Sequence, residues 1–398
     1  MRELGLYIQI PFCASKCSFC NFSSKVSRAE VLASYCTAVE QEVGRLHSLY
    51  DTAGAGARLL ATAVDTIYIG GGTPPIIGIE RLEGILRAAR TRFQFQRSLE
   101  FTLEITPGSA EQEYLKRARS LGVNRLSIGA QSFDDRELSA VGRLHSAADT
   151  RALAEQARRA GFENISLDLI AGLPHQTEDS WHRSLEAVGQ LRPEHVSVYI
   201  FEVDEKSRLG GEVLRHGIRY HAESVPDDEF MAAAYETAQR FLKAQGYIQY
   251  EISNFALPGF ESRHNRKYWN LEPYIGLGAG AHSFDGERRW ANESAAETYT
   301  AKLARGESPI VELRRITPDE QVEEFFFLGL RQTEGIRLSD AHRRWGKSAL
   351  GHFESVILEL VERDLLVRHD DRVRLAYHAL LVSNEIFQEF LVTRTEAP

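Results

Sequence analysis

The sequence predicts an α/β fold in which a parallel sheet built from βα units curls into a full or partial barrel, followed by a small α+β domain. Over the first two-thirds of the chain, short β-branched runs alternate with longer amphipathic runs. Six strand-like runs occur up to residue 201, and a helix or a loop leading into one follows each. Right-handed crossovers between such strands curl the sheet, and the unusual residues follow the strand ends, where barrels hold their chemistry.

The candidate elements follow one another in a regular order. The strand-like runs are short and apolar, whereas the runs between them have the 3.6-residue apolar spacing of helices. Strands are predicted at residues 4–10, 65–70, 99–105, 124–130, 164–170 and 195–201. Clear helices are predicted at residues 30–50, 80–93 and 227–247.

The character of the sequence changes around residues 305–318, where two prolines and several charges suggest a linker. We therefore divide the chain into a barrel domain at residues 1–304 and a C-terminal domain at residues 305–398. The second domain is predicted to contain helices, a short hairpin with its turn at Asp370–Asp371, and a final helix. This order is similar to a winged helix, but its acidic side chains favour packing or capping over DNA binding.

Composition is that of an ordinary globular protein. Of the 398 residues, 43% are hydrophobic and 26% are charged, and no apolar run approaches the roughly 20 residues of a membrane-spanning helix. The first residues, MRELGLYIQIPFC, lack the pattern of a signal peptide, so we expect a cytoplasmic protein with reduced thiols and leave peripheral membrane attachment open. The net charge of −9 argues against nucleic acid as a partner.

Three of the four cysteines lie within eight residues, in the segment IPFCASKCSFCNF directly after the first predicted strand. Cys13, Cys17 and Cys20 are spaced so that one loop can wrap a single metal group. An iron–sulfur cluster held entirely by protein takes four thiolates, so three leave one iron open for another ligand. A structural zinc site, which usually has a second Cys or His pair, and three chance cysteines are the alternatives. Cys36 lies on a predicted helix and is expected to be a small buried residue.

Further unusual residues follow the later strands. The run IGGGTPP at 69–75 contains three glycines, which let a charged ligand approach backbone N–H groups, although an ordinary tight turn is the alternative. Glu104 ends the third strand, where its carboxylate could bind a ribose hydroxyl or a cation, or simply be solvated. Gln131 and Arg143 lie at the end of the fourth strand and in the loop after it. Asp168 lies inside an apolar run, so it is either hydrogen-bonded structurally or a ligand contact.

The spacing CxxxCxxC after a first strand resembles the radical S-adenosylmethionine (SAM) superfamily. From residue 4 to about residue 284, the segments above resemble the heme chaperone HemW family and the related oxygen-independent coproporphyrinogen III oxidases. The resemblance implies a partial (β/α) barrel, a [4Fe–4S] cluster on the three clustered cysteines, and SAM bound to the fourth iron. The residues that it implies for the SAM pocket are Tyr7, Phe19, Gly71, Gly72, Thr73, Glu104, Gln131, Arg143 and Asp168.

Within this resemblance, the chaperone branch fits better than the oxidase branch. Oxidases commonly carry a further cysteine where this chain has Phe22, and they have a longer N-terminal extension. The segment RHNRKYW at 263–269 matches the HNxxYW motif associated with heme binding in the chaperone branch, whereas an isolated histidine would more often be an ordinary loop residue. The heme-binding residues implied by this match are His264, Asn265, Tyr268 and Trp269. Gln9 stands where the family usually has a histidine, so any role of that histidine in heme or proton handling is in question.

The resemblance implies a protein that binds heme and delivers it to recipient hemoproteins such as respiratory enzymes, with an electron donor as a further partner. We expect no coproporphyrinogen oxidase activity. The first alternative is a coproporphyrinogen III oxidase or another radical SAM enzyme acting on a tetrapyrrole. The second alternative is a zinc-stabilised structural or interaction protein. Iron and sulfide content would exclude zinc, and anaerobic turnover of coproporphyrinogen III would distinguish the two heme-related functions.

Overall fold

The computed structural model describes residues 3–51, 59–346 and 350–391, and its largest feature is a twelve-stranded sheet. The strands of this sheet are β1 (Leu4–Ile10), β2 (Val64–Gly71), β3 (Phe95–Ile105), β4 (Arg125–Gln131), β5 (Ile165–Ala171), β6 (His195–Ile200), β7 (Ile248–Gln249), β8 (Asn254–Ala256), β9 (Tyr274–Leu277), β10 (His282–Phe284), β11 (Arg288–Asn292) and β12 (Ile310–Arg315). Their order across the sheet is β12-β11-β10-β9-β1-β2-β3-β4-β5-β6-β8-β7.

The middle of the sheet is parallel. Strands β9 and β1 to β6 all run in the same direction, and antiparallel pairs extend the sheet at both edges. The six strands predicted from the sequence are β1 to β6, which pair as neighbours in chain order. Within the described ranges, the edge strands β12 and β7 do not pair with each other, so the sheet stays open. The predicted α/β fold with a partial barrel is therefore confirmed.

Helices lie between the strands along the chain, and most of them pack on the outer face of the sheet. They are α1 (Ala29–Asp51), α2 (Ile79–Arg92), α3 (Gln112–Ser120), α4 (Asp135–Ala140), α5 (Ala147–Arg159), α6 (Glu178–Leu191), α7 (Arg208–Leu214), α8 (Asp228–Ala244), α9 (Arg263–Trp269) and α10 (Ala296–Ala304). The three helices predicted most clearly correspond to α1, α2 and α8. No helix in the part of the chain that the structure describes is long and apolar enough to cross a membrane.

Apolar and polar side chains alternate along each parallel strand, so the sheet has an apolar outer face and a polar inner face. In β1, Leu6, Ile8 and Ile10 are fully buried beneath the helices, whereas Tyr7 and Gln9 are half-buried and face the barrel interior. Successive side chains of a strand point to opposite faces, so one strand contributes both to the apolar core under the helices and to the barrel interior. The barrel thus has its main core outside the sheet and a polar space inside it, which is where a polar ligand can be held.

The C-terminal part forms a second, smaller core. Its helices are α11 (Pro318–Gly329), α12 (Leu338–Trp345), α13 (Gly351–Glu362) and α14 (Ser383–Gln388), and its sheet has the order β13 (Ile336–Arg337), β15 (Arg372–Leu375), β14 (Leu366–His369). The predicted hairpin turn is present, with Asp370 in the left-handed region at φ +52°. The segment expected to be a linker instead contributes β12 to the large sheet.

Two ion pairs join the small core to the barrel. Arg289 on β11 pairs with Glu324 on α11 at 3.0 Å, and Arg331 pairs with the fully buried Glu251 at 2.6 Å. Charge pairs that lie partly out of water are screened less than surface pairs, so they hold the two cores in a defined arrangement. The division at residues 304/305 stays a prediction.

Candidate cluster and cofactor site

The clustered cysteines lie on a loop that leaves β1 at the mouth of the open barrel. This cysteine loop, residues 11–28, is closed at its base, where the Cys13 N–H donates to the Lys25 carbonyl at 3.1 Å. Farther along, the Ser18 N–H donates to the carbonyl of Val141, directly after α4, at 3.0 Å. The loop is therefore tied both to its own base and to the neighbouring βα unit, which fixes where its thiols lie.

The three thiols are half-buried and free of disulfides. The Arg143 guanidinium donates to Cys17 Sγ at 3.6 Å. Burial raises the pKa of Cys20, and the Cys17 and Cys13 sulfurs raise it further, so the three sulfurs are electrostatic neighbours. Cys36 is only 2% exposed within α1, and burial raises its pKa to about 12, which suits an unreactive core residue.

The donor set suits a cluster better than a single ion. Among the residues that the structure describes, no three His, Cys, Asp or Glu side chains lie close enough together to hold one metal ion. In a cubic cluster each thiolate binds a different iron, so its ligands are farther apart than those of one zinc ion. The loop supplies three free thiols, with a guanidinium beside one of them, and three thiolates are the ligands of a cubic cluster that leaves one iron open.

The glycine run after β2 packs directly against the cysteine loop. A Cβ added to Gly72 would lie 2.3 Å from the Phe12 carbonyl oxygen, and one added to Gly71 would lie 2.6 Å from the Gln9 side chain. Gly71 also has φ +109°, a conformation that residues with a side chain rarely adopt. Only glycine allows this close approach between the turn, the first strand and the cysteine loop.

The backbone N–H groups of this turn are already engaged, which corrects the expectation that they would receive a ligand. The Gly71 N–H donates to Glu104 Oε2 at 2.9 Å, and the Gly72 N–H donates to the Ile10 carbonyl at 2.9 Å. The Thr73 N–H donates to a carbonyl of the cysteine loop at 2.7 Å. A ligand that accepted hydrogen bonds from these N–H groups would have to displace existing ones.

Two carboxyl groups lie inside the barrel above this turn. Glu104 accepts hydrogen bonds from Tyr68 Oη at 2.8 Å and from the Gly71 N–H. Burial raises the pKa of Glu104 to about 7, and the nearby Asp168 carboxyl adds to that rise. Burial also raises the pKa of Asp168, which accepts a hydrogen bond from Ser127 Oγ at 3.3 Å. Both side chains are half-buried, so they keep some surface toward the polar interior.

Tyr7 and Gln9 reach the same interior from β1. Tyr7 Oη donates to Gln9 Oε1 at 2.5 Å, and the rings of Tyr7 and Tyr68 lie 6.0 Å apart. Burial raises the pKa of Tyr7 well above its ordinary value, so the hydroxyl remains a donor. The Gln9 carbonyl accepts from Tyr35 Oη at 2.7 Å, which holds this residue in place from the α1 side.

The remaining residues predicted for the SAM pocket surround the cysteine loop. Gln131 ends β4 with a left-handed backbone at φ +68°. Arg143 Nη2 donates to the Gly129 carbonyl at 2.5 Å while Nη1 faces the cysteine loop, so this side chain connects β4 to the loop. Phe19 packs against a small apolar cluster that includes Leu173. Most of the nine residues thus lie toward the mouth of the barrel, whereas Tyr7 lies deeper, with its ring centroid 6.4 Å from that of His264. Their assignment to SAM stays a prediction.

The heme-motif helix α9 lies at the opposite end of the barrel. Its His264 places Nδ1 2.8 Å from Thr66 Oγ1, near the start of β2, and its backbone N–H donates to Glu100 Oε1 at 2.9 Å. A Cβ added to Gly5, near the start of β1, would lie 3.3 Å from His264 Cε1. The motif therefore closes the N-terminal ends of the strands, whereas the cysteine loop lies at their C-terminal ends.

Both ring nitrogens of His264 have hydrogen-bond partners. Nδ1 contacts Thr66 and Nε2 lies 2.9 Å from Tyr268 Oη, and the residue is 1% exposed. Burial, followed by the charges of Lys267 and Arg125, lowers the pKa of His264 to about 3, so the ring is neutral. A neutral imidazole is a good iron ligand. In this arrangement, however, iron would have to displace one of the two hydrogen bonds, and the heme assignment stays a prediction.

The other members of the motif help to anchor α9. The Asn265 N–H donates to the Ser262 hydroxyl at 3.3 Å, which caps the helix. The ring of Trp269 lies 5.9 Å from the ring of Tyr250. Lys267, which is almost fully buried, pairs with Asp65 at 2.8 Å.

Two residues of the barrel interior escaped the sequence analysis. Tyr68 holds Glu104 by a hydrogen bond, and Arg125 is 1% exposed with a charge that lowers the pKa of both interior carboxyl groups. Strand alternation could have identified Tyr68, since Tyr68 and Gly70 share one face of β2. A lone arginine at the start of a strand is ordinarily exposed, so the sequence contains no sign that Arg125 is buried.

Comparison with known proteins connects these features to a family. A family model described as the radical SAM superfamily matches residues 7–188, and one described as the HemN C-terminal domain matches residues 316–382. The heme chaperone HemW of Bacillus subtilis is 37% identical over 386 residues, which are 97% of this chain and 98% of the relative. The heme chaperone HemW of Mycobacterium tuberculosis is 32% identical over 390 residues, 98% of this chain and 95% of the relative.

The same relationship extends to a mitochondrial protein and to a solved structure. The mitochondrial radical S-adenosyl methionine domain-containing protein 1 of Bos taurus is 31% identical over 420 residues, 100% of this chain and 89% of the relative. The structure of coproporphyrinogen III oxidase (HemN) from Escherichia coli, a radical SAM enzyme, matches with a TM-score of 0.84 and 24% identity over 98% of this chain and 90% of that chain. That last likeness concerns the fold alone. Because the sequence relatives exceed 30% identity along nearly the whole chain, the chain belongs to the heme chaperone HemW family of the radical SAM superfamily.

Proposed function

We propose that this chain binds heme and delivers it to recipient hemoproteins such as respiratory enzymes. The observation that carries the proposal is its similarity, along 97% of its length, to a protein named as a heme chaperone. The HNxxYW segment and the cysteine loop are both complete in this chain. An electron donor is a further proposed partner, because a cluster at the barrel mouth has to be reduced from outside.

The chain's own cofactors follow from its superfamily: a [4Fe–4S] cluster and SAM. When bound, the cluster supplies an electron to SAM. Cys13, Cys17 and Cys20 would hold three of its irons and leave the fourth for SAM. The Arg143 guanidinium beside Cys17 Sγ places a positive charge next to the thiolates, which favours the more negative, reduced cluster.

The polar residues of the barrel mouth have roles that suit SAM. By its resemblance to the family, the turn at Gly71, Gly72 and Thr73 would receive the SAM amino group. Glu104 would accept from a ribose hydroxyl, and its pKa of about 7 allows the carboxyl group to be either charged or neutral near neutrality. Asp168 is a second acceptor in the same enclosed space, where its interaction with a ligand is weakly screened.

The second candidate function is oxygen-independent coproporphyrinogen III oxidase. The match in fold, with a TM-score of 0.84, is the observation that favours it. Against it, Phe22 stands where the oxidases commonly carry a further cysteine, and this side chain is 66% exposed at the edge of the cysteine loop. The fold is common to both functions, so the residues at the mouth have to distinguish them.

One experiment tests the proposal against both alternatives. The full chain is reconstituted anaerobically with iron and sulfide, then titrated with hemin in one arm and assayed with coproporphyrinogen III, SAM and a low-potential reductant in the other. We expect about four irons per chain in a cubic cluster, saturable hemin binding and no protoporphyrinogen. A chain that assembles its cluster but does not bind hemin would refute heme delivery. Stoichiometric zinc without sulfide would support the structural alternative instead.

A further inference from the structure

A buried cation lies in the barrel interior beneath the carboxyl groups of Glu104 and Asp168. It is Arg125, the first residue of β4, which is 1% exposed. Along β4, Leu126 and Ile128 belong to the apolar core under the helices, so the alternation of side chains places Arg125 on the inner face. A charged side chain that is removed from water this completely is rare unless a partner compensates its charge.

The described part of the chain supplies no such partner for Arg125. No Asp or Glu side chain there forms an ion pair with its guanidinium, and its Nε makes no hydrogen bond. Thr102 lies opposite Arg125 across β3 and β4, and its fully buried hydroxyl also has no partner among the described residues. An unpaired buried charge costs free energy and does not stabilise a fold. The stability of the cofactor-free chain therefore does not explain why an arginine occupies this position.

The pairing of the strands places Arg125 deeper in the barrel than both carboxyl groups. Glu104 lies opposite Ser127, and Asp168 lies opposite Gly129, both of which follow Arg125 on β4. Every two residues along a strand advance by about 6.6 Å toward its C-terminal end. A ligand at the mouth therefore meets the two carboxyl groups first and has the cation behind them.

The charge of Arg125 acts on both carboxyl groups. Burial raises the pKa of Glu104 to about 7 and also raises the pKa of Asp168, whereas the Arg125 charge lowers the pKa of each. The cation therefore favours the carboxylate forms in a place where burial favours the neutral forms.

The other titratable side chains around this space are neutral. Burial raises the pKa of the four tyrosines that face the carboxyl groups from β1, β2, β6 and α9, namely Tyr7, Tyr68, Tyr199 and Tyr268. Burial also lowers the pKa of His195 and His264, which lie nearer to Arg125. Arg143 is directed to the cysteine loop, where it donates to Cys17 Sγ. Arg125 is therefore the cation that balances the two interior carboxylates.

We propose that Arg125 is a positioning residue that makes this site selective for a positively charged ligand: it holds Glu104 and Asp168 as carboxylates toward the mouth and thereby favours the sulfonium of SAM over a neutral thioether. The proposal rests on the proposed assignment of these carboxyl groups to SAM and adds the residue that acts through them. Arg125 itself repels a cation. Because Coulomb energy falls with distance, the nearer carboxylates outweigh that repulsion for a ligand at the mouth.

The test compares SAM with S-adenosylhomocysteine, which lacks the methyl group and the positive charge. Both are titrated calorimetrically into the reconstituted full chain between about pH 6 and pH 8.5. They share the same amino and carboxylate groups, so the ratio of their affinities isolates the sulfonium charge. SAM should bind the wild type more tightly. Arg125→Met should lower this ratio roughly tenfold at pH 7, because a rise of one unit in a carboxyl pKa is worth a factor of about ten.

The pH dependence and two further variants separate this role from a structural one. In Arg125→Met the affinity ratio should recover toward pH 8.5, where the carboxyl groups ionise without the cation. Arg125→Lys keeps the charge and should keep most of the wild-type ratio. Arg87→Met removes an exposed cation from α2, changes the net charge by the same amount, and should leave the ratio unchanged. Chemical denaturation should show that cofactor-free Arg125→Met unfolds no more easily than the wild type, since it loses an unpaired buried charge.

The outcomes distinguish the role of Arg125 from the SAM site as such. If the wild type binds SAM but Arg125→Met keeps the same affinity ratio at every pH, the proposal is wrong and the SAM site stands. An equal loss of affinity for both ligands, together with a lower unfolding free energy, would identify a structural residue and would also overturn the proposal. A wild-type chain that does not bind SAM would refute the SAM assignment and this proposal together. Heme binding is titrated separately with hemin and does not depend on either result.

Discussion

At the scale of single residues, the barrel mouth depends on groups whose protonation is set by burial. The thiol of Cys20 and the carboxyl groups of Glu104 and Asp168 all have raised pKa values because their charged forms lose solvent. The Arg125 charge partly offsets this effect for the two carboxyl groups.

The cysteine assignment predicts a sharp difference among the four thiols. Cys13→Ala, Cys17→Ala and Cys20→Ala should each abolish the charge-transfer absorbance of the reconstituted chain, because each removes an iron ligand. Cys36→Ala is the control, since this residue is buried in α1 away from the loop. Loss of the cluster in Cys36→Ala without loss of folding would contradict the assignment.

The raised pKa of Glu104 predicts a pH dependence of stability. Its ordinary value is 4.5 and its folded value is about 7, so the folded chain holds this proton more tightly than the unfolded chain. The stabilisation by the protonated Glu104 carboxyl group is fully present below pH 4.5 and is lost as the pH rises through about 7. Over this range the unfolding free energy changes by at most about 1.4 kcal/mol per pH unit. Glu104→Gln should make the unfolding free energy less dependent on pH over this range.

Chemical denaturation of the cofactor-free chain between pH 4.5 and 8 measures this effect. The difference in unfolding free energy between Glu104→Gln and the wild type should grow with pH in favour of the variant. Asp135→Asn, which changes an exposed carboxylate, is a control for net charge. Parallel curves for Glu104→Gln and the wild type would show that the carboxyl group is already ionised at pH 5.

At the scale of elements, the helices and the parallel strands could be predicted because their apolar periodicity is local. The positions of Glu104, Gln131 and Asp168 at one end of the barrel also follow, since parallel strands bring their C-terminal ends together. Strands β7 to β12 were not predicted. They are two to six residues long, and their pairing depends on partners far away in sequence, such as Gly5 with Tyr274.

The position of α9 in the barrel could not be predicted from the sequence either. The sequence identifies the HNxxYW motif, but only the tertiary fold brings its histidine to Thr66 and Glu100 at the N-terminal ends of the strands. Residues at the N-terminal end of a barrel are more often involved in stability than in chemistry. We therefore infer that the main role of α9 is to close the N-terminal end of the barrel.

A prediction about stability follows for α9. Lys267→Met should lower the unfolding free energy by about 3 kcal/mol, because it leaves Asp65 buried without its main counter-charge. The value lies at the lower end of the usual range, since Arg263 also pairs with Asp65 at 3.0 Å. Arg266→Met on the same helix is the matched control. Adding Asp65→Asn should recover much of the loss; no recovery would show that the ion pair is not the cause.

At the scale of the whole molecule, charge and shape are divided between the two ends of the barrel. The open mouth carries the thiols and the interior carboxyl groups, whereas the closed end is filled by α9. The C-terminal core is held to the barrel edge by Arg289–Glu324 and Glu251–Arg331. This division leaves the mouth of the barrel open to cofactors.

We predict that this chain does not convert coproporphyrinogen III to protoporphyrinogen. Coproporphyrinogen III oxidase shares this fold, so the fold cannot exclude the reaction, and the residues at the mouth have to decide. Phe22 supplies no thiolate, and Gln9 occupies the place of a family histidine with an uncharged side chain that accepts from Tyr7. We expect no protoporphyrinogen when the reconstituted chain is incubated anaerobically with coproporphyrinogen III, SAM and a low-potential reductant. An authentic oxidase run in parallel controls the assay, and product above the no-enzyme background would show that the chain belongs functionally with the oxidases.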